Sequence, residues 1–356
     1  MTINNAAIIN KIGIIILVVL VGYFAKVLLM PLCIAGILAT SFLPFCNWME
    51  KHKVSRWLAA LICLLVLLVV IFGFIATLGL KLADLLNDVT LMKQKIIDVV
   101  VKTQNYLFKH LGVSVAKQTE IFSNEQPSYT SIMQLIANSL FYTLSNLILI
   151  FIYVSFLLFY RLHIKKFMLQ LASKSQRDEV EKIINTAANV SHQYLIGLAK
   201  MIVCLWVMYG IGFSIIGVDN AIFFAILCGL LEVVPYVGNI TGTLLTVFVA
   251  ALHGASPSLI GGILITYSSV QLIQGWLLEP LILGPQVKIN PLFTIIALIV
   301  GELIWGIPGI ILAIPLTAIF KIICDHIEPL KPYGFLIGEI ETIKKMGIFR
   351  SKKAAL

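Results

Sequence analysis

The segment Leu230-Leu231-Glu232-Val233-Val234-Pro235-Tyr236-Val237-Gly238 interrupts an apolar run that extends from Ala221 to Ala251. A helix needs about 20 apolar residues to cross a bilayer. The run is therefore too long for one untilted crossing, and its proline and glycine break it. A second overlong run, Pro291 to Cys324, is interrupted by Gly306-Ile307-Pro308-Gly309, and the stretch Leu259 to Leu283 lies between the two runs. Two broken apolar segments that flank one span predict discontinuous helices near the centre of a membrane.

The composition of the whole chain is that of a membrane protein. Of its 356 residues, 60% are apolar and 12% are charged, whereas a soluble domain has about 45–50% apolar and about 25% charged residues. Several uncharged stretches are long enough to cross the hydrocarbon, and they lack the alternation of a barrel strand. The sequence therefore predicts an all-α polytopic membrane protein of about eight transmembrane helices. Each broken segment is either one crossing or a re-entrant hairpin, and the charges allow both.

Changes in composition divide the chain into five regions. We predict three N-terminal transmembrane helices, of which residues 12–24 and 27–45 form a tight pair, and then an extracytoplasmic amphipathic helical insert. A fourth span with a basic cytoplasmic amphipathic helix, a transport core and a basic cytoplasmic tail follow. The regions are 1–80, 81–140, 141–193, 194–325 and 326–356.

Positive charge is concentrated beside the apolar spans. The chain has 26 Lys and Arg against 17 Asp and Glu, a net charge of +9, and most of the excess lies in residues 46–57, 161–193 and 326–356. Because cytoplasmic loops carry such an excess, we expect a bacterial inner-membrane protein with both termini in the cytoplasm and with lipid contacts. The basic segments lack interleaved aromatic residues, which argues against a nucleic-acid partner.

Five ionisable residues fall inside apolar segments, where a charge is costly and usually faces a bundle interior or water. They are Lys200, Glu232, Glu279, Lys288 and Glu302. The glutamates are candidates for a proton or cation site, with the lysines as possible counter-charges. Alternatively, Glu232 and Glu302 pair with lysines or helix N-termini and hold the broken helices, while Glu279 and Lys288 contact headgroups.

Uncharged residues complete the candidate binding site. Proline and glycine at the two breaks leave backbone carbonyls free, and nearby amide side chains suit a polar, uncharged ligand. For the two glutamines, hydrogen bonding between helices is the alternative role. These residues are Pro235, Gly238, Asn239, Gln271, Gln274, Gly306 and Gly309.

Motifs of enzymes are absent from the sequence. It contains no H-E-x-x-H, G-x-S-x-G or Walker motif, and its histidines are scattered. None of the six cysteines forms a C-x-x-C pair, so they are expected to be buried thiols. We therefore expect no enzyme activity, no catalytic residue, no cofactor and no metal site. Without a nucleotide site, any uphill transport must use an ion gradient.

Several motifs occur in the order and spacing of a known family. They are Tyr194-Leu195-Ile196-Gly197, Leu230–Gly238, Glu279-Pro280-Leu281-Ile282-Leu283-Gly284, Asn290-Pro291-Leu292 and Trp305-Gly306-Ile307-Pro308-Gly309-Ile310-Ile311-Leu312-Ala313-Ile314-Pro315-Leu316. On these motifs the chain resembles the autoinducer-2 exporter (AI-2E) family of bacterial permease-like proteins over nearly its whole length. The resemblance implies an oligomeric inner-membrane transporter of about eight spans, with autoinducer-2 export or sodium/proton antiport as its activity.

Three functions are consistent with the sequence. The first is a secondary transporter that exports a small polar solute such as autoinducer-2, coupled to protons through Glu232. The second is a monovalent cation (Na⁺ or Li⁺)/proton antiporter that uses the intramembrane glutamates as ligands. The third is a non-transporting scaffold whose amphipathic segment, Lys81 to Leu140, recruits partners; it ranks last because a scaffold does not need Glu232.

Overall fold

The computed structural model describes the backbone of residues 13–87, except 14, 15 and 18, and of residues 129–235 and 237–339. Within these ranges all regular structure is helical, apart from an isolated bridge between Ile289 and Gly338. Five helices of this described part are long and apolar enough to cross a membrane. The prediction of an all-α polytopic membrane protein is therefore confirmed.

Eleven α-helices are distinguished in the described residues, together with one π-helix. The π-helix covers Gln274–Leu283, and short 3₁₀ turns cover Lys174–Gln176 and Glu328–Leu330. The α-helices are α1 (Lys26–Lys51), α2 (Arg56–Asn87), α3 (Tyr129–Leu171), α4 (Arg177–Ile215), α5 (Ala221–Leu231), α6 (Val237–Leu252), α7 (Pro257–Ile273), α8 (Gly284–Val287), α9 (Pro291–Trp305), α10 (Ile307–His326) and α11 (Lys331–Ile337).

The first three helices pack around a shared core of mostly small side chains. Small residues let helix backbones approach closely, which is how helices associate in lipid. At one end of this bundle Arg161 of α3 donates to Glu50 of α1 at 2.6 Å and to Asn47 at 3.1 Å. The core residues are Ala35, Ala39, Cys46, Met49, Ala59, Ala60, Cys63, Leu67, Val154 and Leu158.

Two features of the predicted organisation differ from the structure. The segment before α1 joins it through a bend at Ala25, where the helical hydrogen bonds Ala25 N–H to Val21 O and Leu29 N–H to Ala25 O continue on both sides. The prediction of a tight helix pair at this place is therefore wrong, because one near-helical residue cannot reverse the chain. In addition, α4 runs unbroken from the basic segment into the span, so the boundary between residues 193 and 194 lies inside a helix. Most of the predicted insert (residues 88–128) and of the basic tail (residues 340–356) lies outside the described residues.

The first broken run folds back on itself as a helical hairpin, α5–α6, here named hairpin A. A Cβ at Gly238 would collide with the backbone carbonyl of Leu231, and one at Gly242 would lie 3.0 Å from the Cα of Cys228. The second contact is farther from the break than the first on both arms, and such a pattern requires that the two arms run antiparallel. The break begins at Glu232 and α6 begins at Val237, earlier than predicted, so Gly238 and Asn239 already belong to the first turn of α6.

The second broken run, α9–α10, forms hairpin B. Gly306 alone separates its two helices, with φ 66° and ψ −142°, a conformation that glycine adopts readily. The arms touch backbone to backbone, because a Cβ at Gly301 would lie 2.8 Å from the carbonyl carbon of Gly309. Ile307, Pro308 and Gly309 begin α10, so the predicted four-residue break is shorter than expected. Trp305 at the tip donates to the carbonyl of Gly22 at 2.9 Å.

The two hairpins enter the structure from opposite ends of α4. The open end of hairpin A includes Val218, which packs with Phe213 in the last turns of α4. The open end of hairpin B lies at Ile289 and Ile337, which pack against Val190 in the first half of α4. Val190 and Phe213 are about 35 Å apart along a straight helix at 1.5 Å per residue. Of the two alternatives left open by the sequence, the structure has two opposed hairpins.

Candidate functional site

A cavity of about 380 Å³ lies between the tip of hairpin A, the first half of α4, the π-helix and the open end of hairpin B. Its wall combines apolar side chains with a small number of carboxylates, amides and one lysine, a composition typical of small-molecule sites. The polar and charged residues that line it are Tyr194, Glu232, Asn239, Gln271, Gln274, Glu279, Lys288, Thr294 and Glu339.

Three buried side chains form a hydrogen-bonded chain at the inner end of this cavity. Gln274 Nε2 donates to Glu232 Oε1 at 2.5 Å, and Asn239 Nδ2 donates to Gln274 Oε1 at 3.2 Å. The exposed fractions are 7% for Glu232 and 2% for each amide residue. These hydrogen bonds connect the tip of hairpin A to the π-helix, because Glu232 begins the break of the hairpin and Asn239 follows it. A hydrogen bond to a charged group contributes about 1.5–3 kcal/mol.

The backbone around this chain is shaped by unusual helix geometry. A π-helix is rare and is often found at functional sites, and here it carries Gln274, Glu279 and Pro280 into the wall of the cavity. Pro280 has no N–H and therefore cannot complete an α-helical bond at its position. Gly197 lets this segment approach α4, because a Cβ there would lie 3.2 Å from the carbonyl oxygen of Ile282.

The structure brings together part of the predicted site and separates the rest. Glu232, Pro235, Asn239, Gln271, Gln274, Glu279 and Lys288 line the same cavity. Three predicted glycines act in packing or turning instead: Gly238 and Gly309 allow backbone contact within their hairpins, and Gly306 forms a tip. Lys200 and Glu302 are exposed on helix surfaces and are not among the residues that line the cavity.

Sequence reasoning did not single out three polar residues of the cavity wall, Tyr194, Thr294 and Glu339. Tyr194 begins the motif Tyr194-Leu195-Ile196-Gly197, so its place in that motif could have indicated it. Thr294 follows the cap of α9, where Asn290 Oδ1 accepts from Phe293 N–H at 2.9 Å. Glu339 reaches the cavity because Asn290 binds the carbonyls of Leu336 and Gly338, at 2.7 and 3.1 Å. No group of three or more His, Cys, Asp or Glu suited to a metal ion occurs among the described residues.

Opposed helical hairpins around a polar cavity define a class of membrane protein in which broken helices meet at a binding site. Comparison with known proteins agrees with this class. Residues 12–328 match the family model described as AI-2E family transporter. The chain belongs to this family, and it is a multi-pass membrane transporter.

Relatives cover most of the chain. "Putative transport protein YueF" of Bacillus subtilis (strain 168) is 29% identical over 321 residues, which are 84% of each chain. "Putative transport protein YrrI" of the same organism is 25% identical over 319 residues, 85% of this chain and 87% of the relative. "AI-2 transport protein TqsA" of Escherichia coli (strain K12) is 23% identical over 346 residues, 95% of this chain and 97% of the relative.

Proposed function

We propose that this protein is a proton-coupled secondary transporter of the bacterial inner membrane that exports a small polar solute such as autoinducer-2. The observation that carries the proposal is the buried Glu232, held by Gln274 at the tip of a helical hairpin and open to a cavity. A carboxylate at such a place is costly and is usually functional. The name of the relative TqsA supports autoinducer-2 as the solute to test first.

The cavity has the size and the lining for a small polar molecule. Its volume of about 380 Å³ falls within the roughly 300–1,000 Å³ of small-molecule sites. Amide and hydroxyl side chains such as Gln271 and Thr294 make part of the wall polar, while Met201, Leu198 and Leu298 make other parts apolar. The hydroxyl and carbonyl groups of a small polar solute match such a mixed wall.

Protonation of Glu232 supplies a physical link between the ion gradient and the hairpin. The ionised carboxylate only accepts hydrogen bonds, so it orients the Gln274 amide with its Nε2 toward Glu232. A protonated carboxyl has an O–H donor, which favours the flipped amide with Gln274 Oε1 toward Glu232. That flip removes the acceptor of Asn239 Nδ2 and so changes the tie between hairpin A and the π-helix. A proton therefore changes the relative stability of two arrangements, as coupling requires.

The position of the cavity mouth supports export as the direction to test. Lys288 and Glu339 are exposed members of the cavity wall at the open end of hairpin B, whereas Glu232 is deeply buried. This end of the structure is also the end at which α4 begins, next to the basic segment 161–193. The positive-inside rule assigns that end to the cytoplasm, so this conformation allows a solute to load from the cytoplasm, as an exporter requires. The same rule assigns the basic tail, residues 326–356, to the cytoplasm.

Flux measurements on reconstituted protein test the proposal. Wild-type vesicles loaded with labelled autoinducer-2 should release it at least tenfold faster when a pH gradient is imposed, and Glu232→Gln should abolish this response. Glu302→Gln is a matched control, because Glu302 is exposed and away from the cavity; it should respond like wild type. A wild-type flux that ignores the gradient, or a full response in Glu232→Gln, contradicts the proposal.

A cation/proton antiporter is the second candidate function. It is favoured by the presence of three carboxylates, Glu232, Glu279 and Glu339, in the wall of one cavity, because carboxylate oxygens bind hard cations and protons. It predicts that Na⁺ or Li⁺ added to sealed vesicles dequenches an internal pH dye in the absence of any organic solute. Absence of that response, together with gradient-driven solute flux, rules it out.

Assembly into a homo-oligomer stays a prediction from the family resemblance.

A further inference from the structure

At the inner end of the cavity and next to it, the protein buries a cluster of polar atoms that have no hydrogen-bond partner among the described residues. Tyr209 is completely buried, and Asn239 and Thr243 are 2% and 3% exposed. Buried polar groups in native proteins nearly always have partners, either protein or ordered water. The atoms are Tyr209 Oη, Glu232 Oε2, Asn239 Oδ1, Thr243 Oγ1 and Gln271 Nε2.

These atoms belong to one region of the structure. Asn239 Nδ2 bonds Gln274 Oε1 and so fixes the register between α6 and the segment that begins with α7. The two run antiparallel, since a short connection joins them, so Thr243, one turn after Asn239, faces the turn that contains Gln271. Tyr209 of α4 lies near Gln271 and, at longer range, near Glu232. Three helices, α4, α6 and α7, and the break of hairpin A therefore bring unpartnered polar atoms into one region.

The chemistry of the set favours water over a metal ion. A cation needs oxygen ligands alone, whereas this set combines acceptor oxygens with hydroxyl donors and the Gln271 amide donor. An ordered water molecule makes about three hydrogen bonds and satisfies both kinds of group. The remaining ionisable groups that face Glu232 are Glu279 of the π-helix, Tyr267 of α7 and Cys228 of α5.

The polar face of α6 continues from this cluster toward the far side of the protein. Asn239, Thr243 and Thr246 recur at helical spacing on one buried face. Thr246 lies one turn before Ala250, which lines a second pocket of about 210 Å³ at the open end of hairpin A. That pocket also contains Asp219 and His253, so two titratable groups stand at its wall. The apolar turn between Thr246 and the pocket has to open for the path to be complete.

We propose that Tyr209, Thr243 and Gln271 hold ordered water molecules that relay protons between Glu232 and the pocket lined by Asp219 and His253. This inference rests on the proposed proton coupling at Glu232. It gives the solute and the proton separate routes: the solute uses the cavity, and the proton reaches Glu232 from the opposite end of hairpin A. The relay transfers a proton along hydrogen bonds, and each water that gives one proton to its neighbour receives another from behind.

Hydroxyl-radical footprinting of the whole protein in detergent tests the water directly. Radiolysis of bound water modifies side chains next to it even where bulk solvent has no access. Tyr209 and Phe213 make a matched pair, because both are 0% exposed aromatic residues of α4, one turn apart. We expect Tyr209 to be modified at least tenfold faster than Phe213. Equal, slow modification of both residues means that the cluster is dry and overturns the proposal.

Transport by reconstituted variants tests the relay. Thr243→Val keeps the shape of the side chain and removes the hydroxyl, and Thr241→Val is its control on the exposed face of the same helix. The ratio of pH-driven flux to solute exchange at equal pH should fall at least tenfold in Thr243→Val and stay within twofold in Thr241→Val.

A second variant guards against loss of folding. If Thr243→Val does not fold, Tyr209→Phe gives the same measurement. An unchanged ratio in the variant overturns the relay and leaves the proposed function in place. A wild-type flux that ignores the pH gradient overturns both the proposed function and the relay.

Discussion

The backbone contact inside hairpin B makes the stability of this protein sensitive to single methyl groups. A Cβ added at Gly301 would lie 2.8 Å from the carbonyl carbon of Gly309 and 3.2 Å from the Cβ of Ala313. Optimal carbon–carbon contacts are about 3.5–4.0 Å, so the two arms must separate by roughly 1 Å. Overpacking of this kind costs about 1–3 kcal/mol, and we expect the upper end because the obstructing atoms are backbone.

The same substitution has a smaller, favourable effect on the helix itself. Alanine is better than glycine in a helix interior by about 0.5–1 kcal/mol. For Gly301→Ala we therefore expect a net loss of about 2 kcal/mol. Gly261→Ala in α7 is the matched control, since a Cβ there meets nothing within 4 Å. This control should be stabilised by about 0.5–1 kcal/mol, so the two substitutions have opposite signs.

Thermal unfolding of purified protein in one detergent, followed by tryptophan fluorescence, measures both changes. Gly309→Ala should resemble Gly301→Ala, because the two glycines obstruct each other across the hairpin. The double variant should lose less than the sum of the single losses, since arms that have already separated admit the second methyl group. If Gly301→Ala is as stable as Gly261→Ala, the backbones of α9 and α10 are not in contact, and the close packing of hairpin B is refuted.

Three further substitutions probe other contacts. Gln274→Leu removes the donor to Glu232 and should destabilise the protein by about 2–4 kcal/mol at neutral pH. The loss should be smaller at acidic pH, where the carboxyl is neutral, and thermal unfolding at both pH values measures the difference. Asn290→Ala removes a helix cap worth about 1 kcal/mol and two bonds to the last described turn, so hydrogen exchange of residues 331–339 should accelerate. The double variant Arg161→Leu/Glu50→Gln should lose less stability than the sum of the two single losses in thermal unfolding, because each single change leaves the other charge of the 2.6 Å ion pair without its nearest partner.

The sequence alone was sufficient to predict the broken helices, and local chemistry explains why. Proline and glycine interrupt a helix wherever they occur, so the positions of the breaks were predicted to within a few residues. Whether each break reverses the chain depends on tertiary contacts, such as Asn290 binding Leu336 and Gly338. Those contacts join residues that are far apart in sequence. Counting charged residues could not replace those contacts, because two hairpins and two single crossings both leave the strongly basic segments on the cytoplasmic side.

Prediction of the candidate site was limited in a similar way. The sequence predicts Glu232 as a site residue because a carboxylate in an apolar run is costly, and the structure places it in the cavity wall. The same reasoning predicts Lys200 and Glu302, yet both are exposed. In a chain where nearly every neighbour is apolar, hydropathy does not distinguish the face toward a cavity from the face toward lipid. The π-helix was not predicted either, because the winding of that segment depends on how it packs against Gly197 of α4.

The difference between the two hairpin glutamates follows from the local geometry. In hairpin B, Gly301 points into the contact with α10, and Glu302, rotated by about 100° on a helix of 3.6 residues per turn, must point away from the partner arm. In hairpin A, α5 ends at Leu231 and Glu232 lies in the break itself, where no helical rotation fixes its direction and it turns toward Gln274. Each broken run thus has a glutamate near its break, but Glu302 is exposed on the helix surface and Glu232 is buried beside the cavity. Of these two glutamates only Glu232 borders the cavity, so the proposed proton coupling depends on hairpin A, whereas hairpin B contributes Thr294, Leu298 and Ile314 to the cavity wall.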